Sequence, residues 1–141
     1  MAGANLDEKH HVVRQVPRRC QVRDTQSGEF LGITYTAFTL DGHEYLSVAW
    51  PEYFLEDSDR NRSAISQLRA ARRDNASTAY WIGCIANIRS AMNGHKFRAV
   101  SEPDGDFTSH AALRLWSADI NILGKLAADA SAGVIMSKDL A

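Results

Sequence analysis

The sequence predicts an α+β domain, a mainly antiparallel sheet with two or three helices packed on one face, and three observations carry that prediction. The first is Ile33 to Trp50, two β-rich runs joined by Asp41-Gly42, the pair that a two-residue type I′ turn needs. The second is helical spacing: Ala64, Ile65, Leu68 and Ala71 make one stripe over Arg60 to Asp74, and Ile120, Ile122, Leu123, Leu126 and Ala127 make another behind Ser117 or Asp119. The third is size, since 141 residues, 45% hydrophobic and 23% charged, suit one core with no repeat or linker.

Taken in order, residues 1–9 are small and polar and read as a flexible tail, leaving 10–141 as a single α+β domain. His11 to Cys20 holds Val12, Val13 and Val16, which favour extended backbone, while Pro17 marks an edge or a strand end because it has no amide for a ladder. Gln26-Ser27-Gly28 turns the chain into the hairpin. There a two-residue loop sets Leu40 opposite His43, Phe38 opposite Tyr45 and Ile33 opposite Trp50. Ile33, Tyr35, Ala37, Leu46, Val48 and Trp50 then share the core face, with Thr34, Thr36 and Ser47 on the other. Pro51 suits the first turn of a short helix to Leu55, and Asp57-Ser58-Asp59 offers an N-cap for the Arg60 helix.

Thr78 to Met92 fits helical spacing through Trp81, Ile85, Ile88 and Met92, yet Tyr80 to Ile85 has strand composition. Gly83 costs a helix roughly 1 kcal/mol against alanine. The favoured reading is a buried strand over Ala79 to Ile85 and a short helix to Met92 stopped by Asn93-Gly94, with one continuous helix as the alternative. Lys96 to Ser101 and Ala111 to Trp116 read as strands around the turn Glu102-Pro103-Asp104-Gly105-Asp106, and Gly133 closes the last helix before Val134-Ile135-Met136.

Composition narrows the function classes. A net charge of −1 gives no global pull toward nucleic acid or acidic lipid. Cys20 and Cys84 lie far apart with no CxxC pair, which suits two free thiols in a reducing compartment. No apolar run approaches a membrane span and the N-terminal residues lack a secretory core, so a cytoplasmic location with no membrane partner is expected. His10, His11, His43, His95 and His110 show no HxxxH or HxH spacing, and neither GxxxxGK[ST] nor GxGxxG occurs, so no metal or cofactor is expected.

Tyr45-Leu46-Ser47-Val48-Ala49-Trp50, then Pro51-Glu52-Tyr53-Phe54, an arginine-bearing helix and Ser109-His110-Ala111 form a pattern over roughly Thr34 to Ala130. It resembles a group of short bacterial proteins with an LSVxW strand and a later Ser-His-Ala tripeptide. The resemblance implies a bacterial or phage-borne cytosolic domain and a strand at Ala79 to Ile85; it implies no activity and no catalytic residue.

The candidate sites give three readings. The leading one is an accessory or adaptor-like domain without catalytic activity that binds another protein and can self-associate. Its binding residues are Arg62, Arg69 and Arg73 on one helix face and Phe38, Leu40, His43 and Tyr45 at the hairpin tip. The second is a small hydrolase or transferase in which His110 acts with Arg98 and Asp106, or with Glu102 or Asp104. Adjacent side chains on a strand diverge, so Ser109 is not the partner of His110. The third, ranked below these, is nucleic-acid binding through Arg60 to Arg73.

Overall fold

A computed structural model describes residues 3–55, 58–130 and 133–139. The α+β class is realised as a six-stranded antiparallel sheet and three helices. The strands are β1 (His11–Val16), β2 (Gln21–Arg23), β3 (Phe30–Ile33), β4 (Tyr45–Ala49), β5 (Ala79–Cys84), β6 (Arg98–Ser101), β7 (His110–Arg114) and β8 (Val134–Met136). The helices are α1 (Arg60–Ala71), α2 (Ile85–Ala91) and α3 (Ile120–Ala130). The main sheet runs β6-β7-β4-β1-β5-β8, and β2 pairs with β3 as a separate ribbon.

Period-two alternation in β1 explains why the sheet needs cover on both sides. Val12 and Val16 join a core with Leu46, Val48 and Trp81 under α2 and α3, whereas Val13 joins Ala49 and Tyr80 beneath Ala64, Ile65 and Leu68 of α1. The helices therefore divide between the two faces instead of sharing one. Asp59 caps α1 by accepting from the Arg62 amide at 3.1 Å; Asp57 lies outside the described residues.

The hairpin of Ile33 to Trp50 is not formed, although its turn is. Asp41 (φ 50°) and Gly42 (φ 85°) both adopt positive φ, and the His43 amide donates to Leu40 O at 2.9 Å, as in a type I′ turn. Upstream, Tyr35–Phe38 winds into a 3-10 turn and β3 pairs with β2. The reason is competition for β4, whose two edges are taken by β7 from Tyr45↔Arg114 to Ala49↔His110 and by β1 at Val13↔Ala49.

The segment Ala79 to Met92 is strand then helix, breaking between Cys84 and Ile85. Gly83 belongs to the strand for a packing reason: a Cβ there would lie 2.5 Å from the Trp81 ring. Asn93 (φ 57°) and Gly94 (φ 77°) end α2, with the Gly94 amide donating to Arg89 O at 2.8 Å. Of residues 3–9, expected as a loose tail, 3–6 run beside β6, and Glu8 O accepts from the Ala86 amide at the start of α2. The Leu6 amide donates to Ala99 O and the Ser101 amide to Ala4 O, both at 2.9 Å, and the Leu6 side chain is buried. No helix among the described residues is long and apolar enough to cross a membrane.

Candidate functional site

The site starts from one residue out of pattern. Arg14 shares the β1 face of Val12 and Val16, both fully buried, so a guanidinium projects from a face otherwise given to the core. Room for it comes from the sheet. The β1–β4 pairing consists of Val13↔Ala49; extended, it would set Gln15 opposite Ser47 and Pro17 opposite Tyr45. Pro17 has no amide to donate, and the strands part. In the opening, Arg14 Nε donates to Ala37 O and Nη1 to Ser47 O, each at 2.7 Å. The arginine thus serves carbonyls of the 3-10 turn and of β4 that the ladder leaves unpaired.

Two further arginines face the same opening. Arg72 ends α1 in extended conformation, φ −135° and ψ 141°, which swings its side chain back so that Nη2 donates to Ser47 Oγ at 2.9 Å. Arg19 follows Pro17 in a 3-10 turn. Together with Arg14, His43, Tyr45 and Ser47 they line a cleft of about 300 Å³ in which Asp41 is the one carboxylate. A second chamber of about 370 Å³ shares Arg14, Arg19, Thr39 and Asp41 and is walled by Pro17, Tyr35 and Ala37.

The positive charge of the cleft is compensated only in part, by Asp41, which makes no ion pair with the arginines. The ion pairs among the described residues are His11–Glu52, Arg69–Asp74, Arg89–Glu8 and Arg114–Glu102, and none involves Arg14, Arg19 or Arg72. Burial, reinforced by the positive charge of Arg72, pushes the Arg14 guanidinium down to about 10.

Behind the cleft a hydrogen-bonded relay fixes Ser47. His110 Nδ1 donates to Glu102 O at 2.6 Å, leaving Nε2 to accept from Ser47 Oγ at 2.8 Å. The Glu102 carboxylate meets Arg114 through both oxygens, and this partner holds its carboxyl below the usual carboxylate range. The Arg114 guanidinium in turn sits 4.8 Å from the centroid of the Tyr45 ring. Ser47 is the hub, with its carbonyl on Arg14 and its hydroxyl between Arg72 and His110.

The residues expected from sequence are redistributed. Leu40, His43 and Tyr45 do line the cleft, but Phe38 is fully buried, edge-on to Trp81 at 4.9 Å, and is core. Arg62 and Arg69 lie exposed on α1, whereas Arg73 falls beyond the end of the helix, so the three form no continuous ridge. Arg69 is paired with Asp74 at 3.1 Å. His110, Arg98 and Asp106 do not converge. His110 is 4% exposed with both ring nitrogens engaged, Arg98 donates to Asn5 Oδ1 at 3.3 Å, and Asp106 is exposed in its turn. Ser109 Oγ donates to Gln67 Oε1 at 2.6 Å, tying β7 to α1.

Sequence reasoning missed Arg14, Arg19, Arg72 and Ser47. A signal existed for Arg14: valines two residues to either side mark its face as buried, and a charge on such a face needs an explanation. Compared with protein-family models, curated protein sequences and solved structures, the chain matches none.

Proposed function

We propose that this chain is a protein-interaction domain that grips an anionic group of its partner in the cleft between β1 and β4. The observation that carries the reading is Arg14, a desolvated guanidinium held by two carbonyls and facing two more arginines with no carboxylate in ion-pair range among the described residues. A buried charge without an ion-pair partner disfavours the folded state, and such sites are concentrated where a ligand supplies the missing charge. Leu40 and Tyr45 add the apolar surface that a peptide segment covers. His110 contributes by orienting Ser47, a positioning role that needs no reaction at the imidazole. The two free thiols, Cys20 and Cys84, support a reducing compartment such as the cytoplasm.

The test is an NMR titration with a glutamate-rich peptide and with a lysine-rich peptide of equal length. The acidic peptide is expected to shift the resonances of Arg14, His43, Ser47 and Arg72 first, and Arg72→Ala to weaken it by about tenfold. Shifts scattered over the surface, or an affinity indifferent to Arg72, would overturn the reading.

A further inference from the structure

We infer that the group held in the cleft is a phosphate monoester dianion on a side chain of the partner protein, an inference that rests on the cleft being the recognition site. Charge selects the dianion. Three guanidinium groups and one carboxylate line the cleft, a surplus of two positive charges that one carboxylate ligand would half neutralise and a phosphate monoester would match.

Donor supply agrees with this. Arg14 uses Nε and Nη1 on carbonyls, and Arg72 uses Nη2 on Ser47; Arg14 Nη2, Arg72 Nε and Nη1, and the Arg19 guanidinium have no partner among the described residues. That leaves N–H groups from three planar forks for three phosphate oxygens. Because carbonyl bonds fix Arg14 and the Ser47 hydroxyl fixes Arg72, much of the ordering cost of two long side chains is met before a ligand arrives.

The surroundings favour a single phosphorylated side chain over a nucleic-acid strand. A polyanion needs cations repeated along its path, but Arg69 outside the cleft is paired with Asp74 and the whole chain carries −1. Asp41, whose carboxylate accepts from Thr39 Oγ1 at 2.9 Å, lines both chambers and disfavours a second phosphate. Besides the shared Arg14, Arg19 and Asp41, the second chamber offers Pro17, Tyr35 and Ala37, a wall against which an uncharged residue flanking the modified side chain can lie.

The experiment is calorimetric titration of the full chain with four probes: a pentapeptide centred on phosphoserine, the same peptide with glutamate at that position, inorganic phosphate, and a single-stranded hexanucleotide. The phosphopeptide is expected to bind at least about tenfold tighter than each of the others, and Arg14→Lys and Arg72→Ala each to remove about tenfold of that affinity. Arg14→Lys keeps the charge but loses the fork, and Arg72→Ala alters an exposed side chain, so loss in both with unchanged thermal unfolding excludes misfolding as the cause. Equal affinity for the glutamate peptide would overturn the dianion and leave the anion-binding cleft standing. Inorganic phosphate or the hexanucleotide binding as tightly as the phosphopeptide would overturn the protein side chain as the source. Binding of no probe would overturn both this inference and the reading beneath it.

Discussion

Arg89 and Arg14 are set into the same fold in the same manner and finished differently. Each guanidinium donates to two backbone carbonyls, Arg89 to His95 O and Phe97 O at 3.2 and 2.9 Å, Arg14 to Ala37 O and Ser47 O at 2.7 Å. Arg89 then receives both oxygens of Glu8 at 2.8 and 2.9 Å and lies 4.3 Å from the Phe97 ring centroid. Arg14 has Arg72 beside it instead. The consequence shows in opposite titration: the bond to Glu8 raises Arg89 above its ordinary value, whereas burial and a like charge lower Arg14. One arginine is closed off by a carboxylate; the other has no ion-pair partner among the described residues.

The largest effect that would sharpen this contrast is on stability. Arg89→Ala strands two carbonyls and the Glu8 carboxylate, and should cost about 2 kcal/mol in urea unfolding. A cost near zero would break the comparison at its structural end. Ser47→Ala comes next, at about 1.5 kcal/mol, because it removes the partner of a buried imidazole nitrogen and frees Arg72. Arg14→Met should cost less than about 1 kcal/mol, since the lost carbonyl bonds are offset by removal of a buried unpaired charge. If it cost more than Arg89→Ala, Arg14 would be the structural member of the pair.

Acid should separate the two arginines as well. The Arg89 hydrogen bond holds the Glu8 carboxyl below its ordinary range. Its stabilisation is therefore complete above the unfolded value of about 4.3 and is lost as pH falls through the lower folded value. Acidification through that window should destabilise the native chain by a few tenths of a kcal/mol more than it does Arg89→Ala, and leave the Arg14→Met difference unchanged. Coincident pH profiles for the native chain and Arg89→Ala would remove the electrostatic part of the contrast. Smallest of all is Arg73→Ala, an exposed position past α1 whose replacement should stay within about 0.5 kcal/mol and leave anion binding untouched.

Local chemistry was legible where it needed no knowledge of the distant chain. Asp41-Gly42 makes its turn, Gly83 sits in a strand, and Asn93-Gly94 stops α2, each by φ preference or close approach that the residue itself carries. The hairpin failed because pairing is decided by rival partners: β1 and β7 take the edges of β4, while Phe38 finds a better burial against Trp81 than across from Tyr45. The candidate site was half legible for the same reason. Leu40, His43 and Tyr45 flank the correctly read turn, whereas Arg14, Arg19 and Arg72 come from β1, its following turn and the end of α1, and only the divergence of two strands unites them.

The position of β1 also sets the order in which the molecule can be assembled. This strand precedes the other strands in chain order and lies in the interior of the sheet, yet its continuous partner runs from His11↔Cys84 to Val16↔Ala79, and β4 meets it at Val13↔Ala49 alone. Closing so long a loop precedes any reward from the contact, which makes sheets of this connectivity slow to form. On a ribosome, Val12, Val13 and Val16 therefore wait as an unsatisfied apolar run until β5 has been synthesised. Arg14, standing in the middle of that run, is then a charged interruption that discourages wrong pairing with other nascent chains.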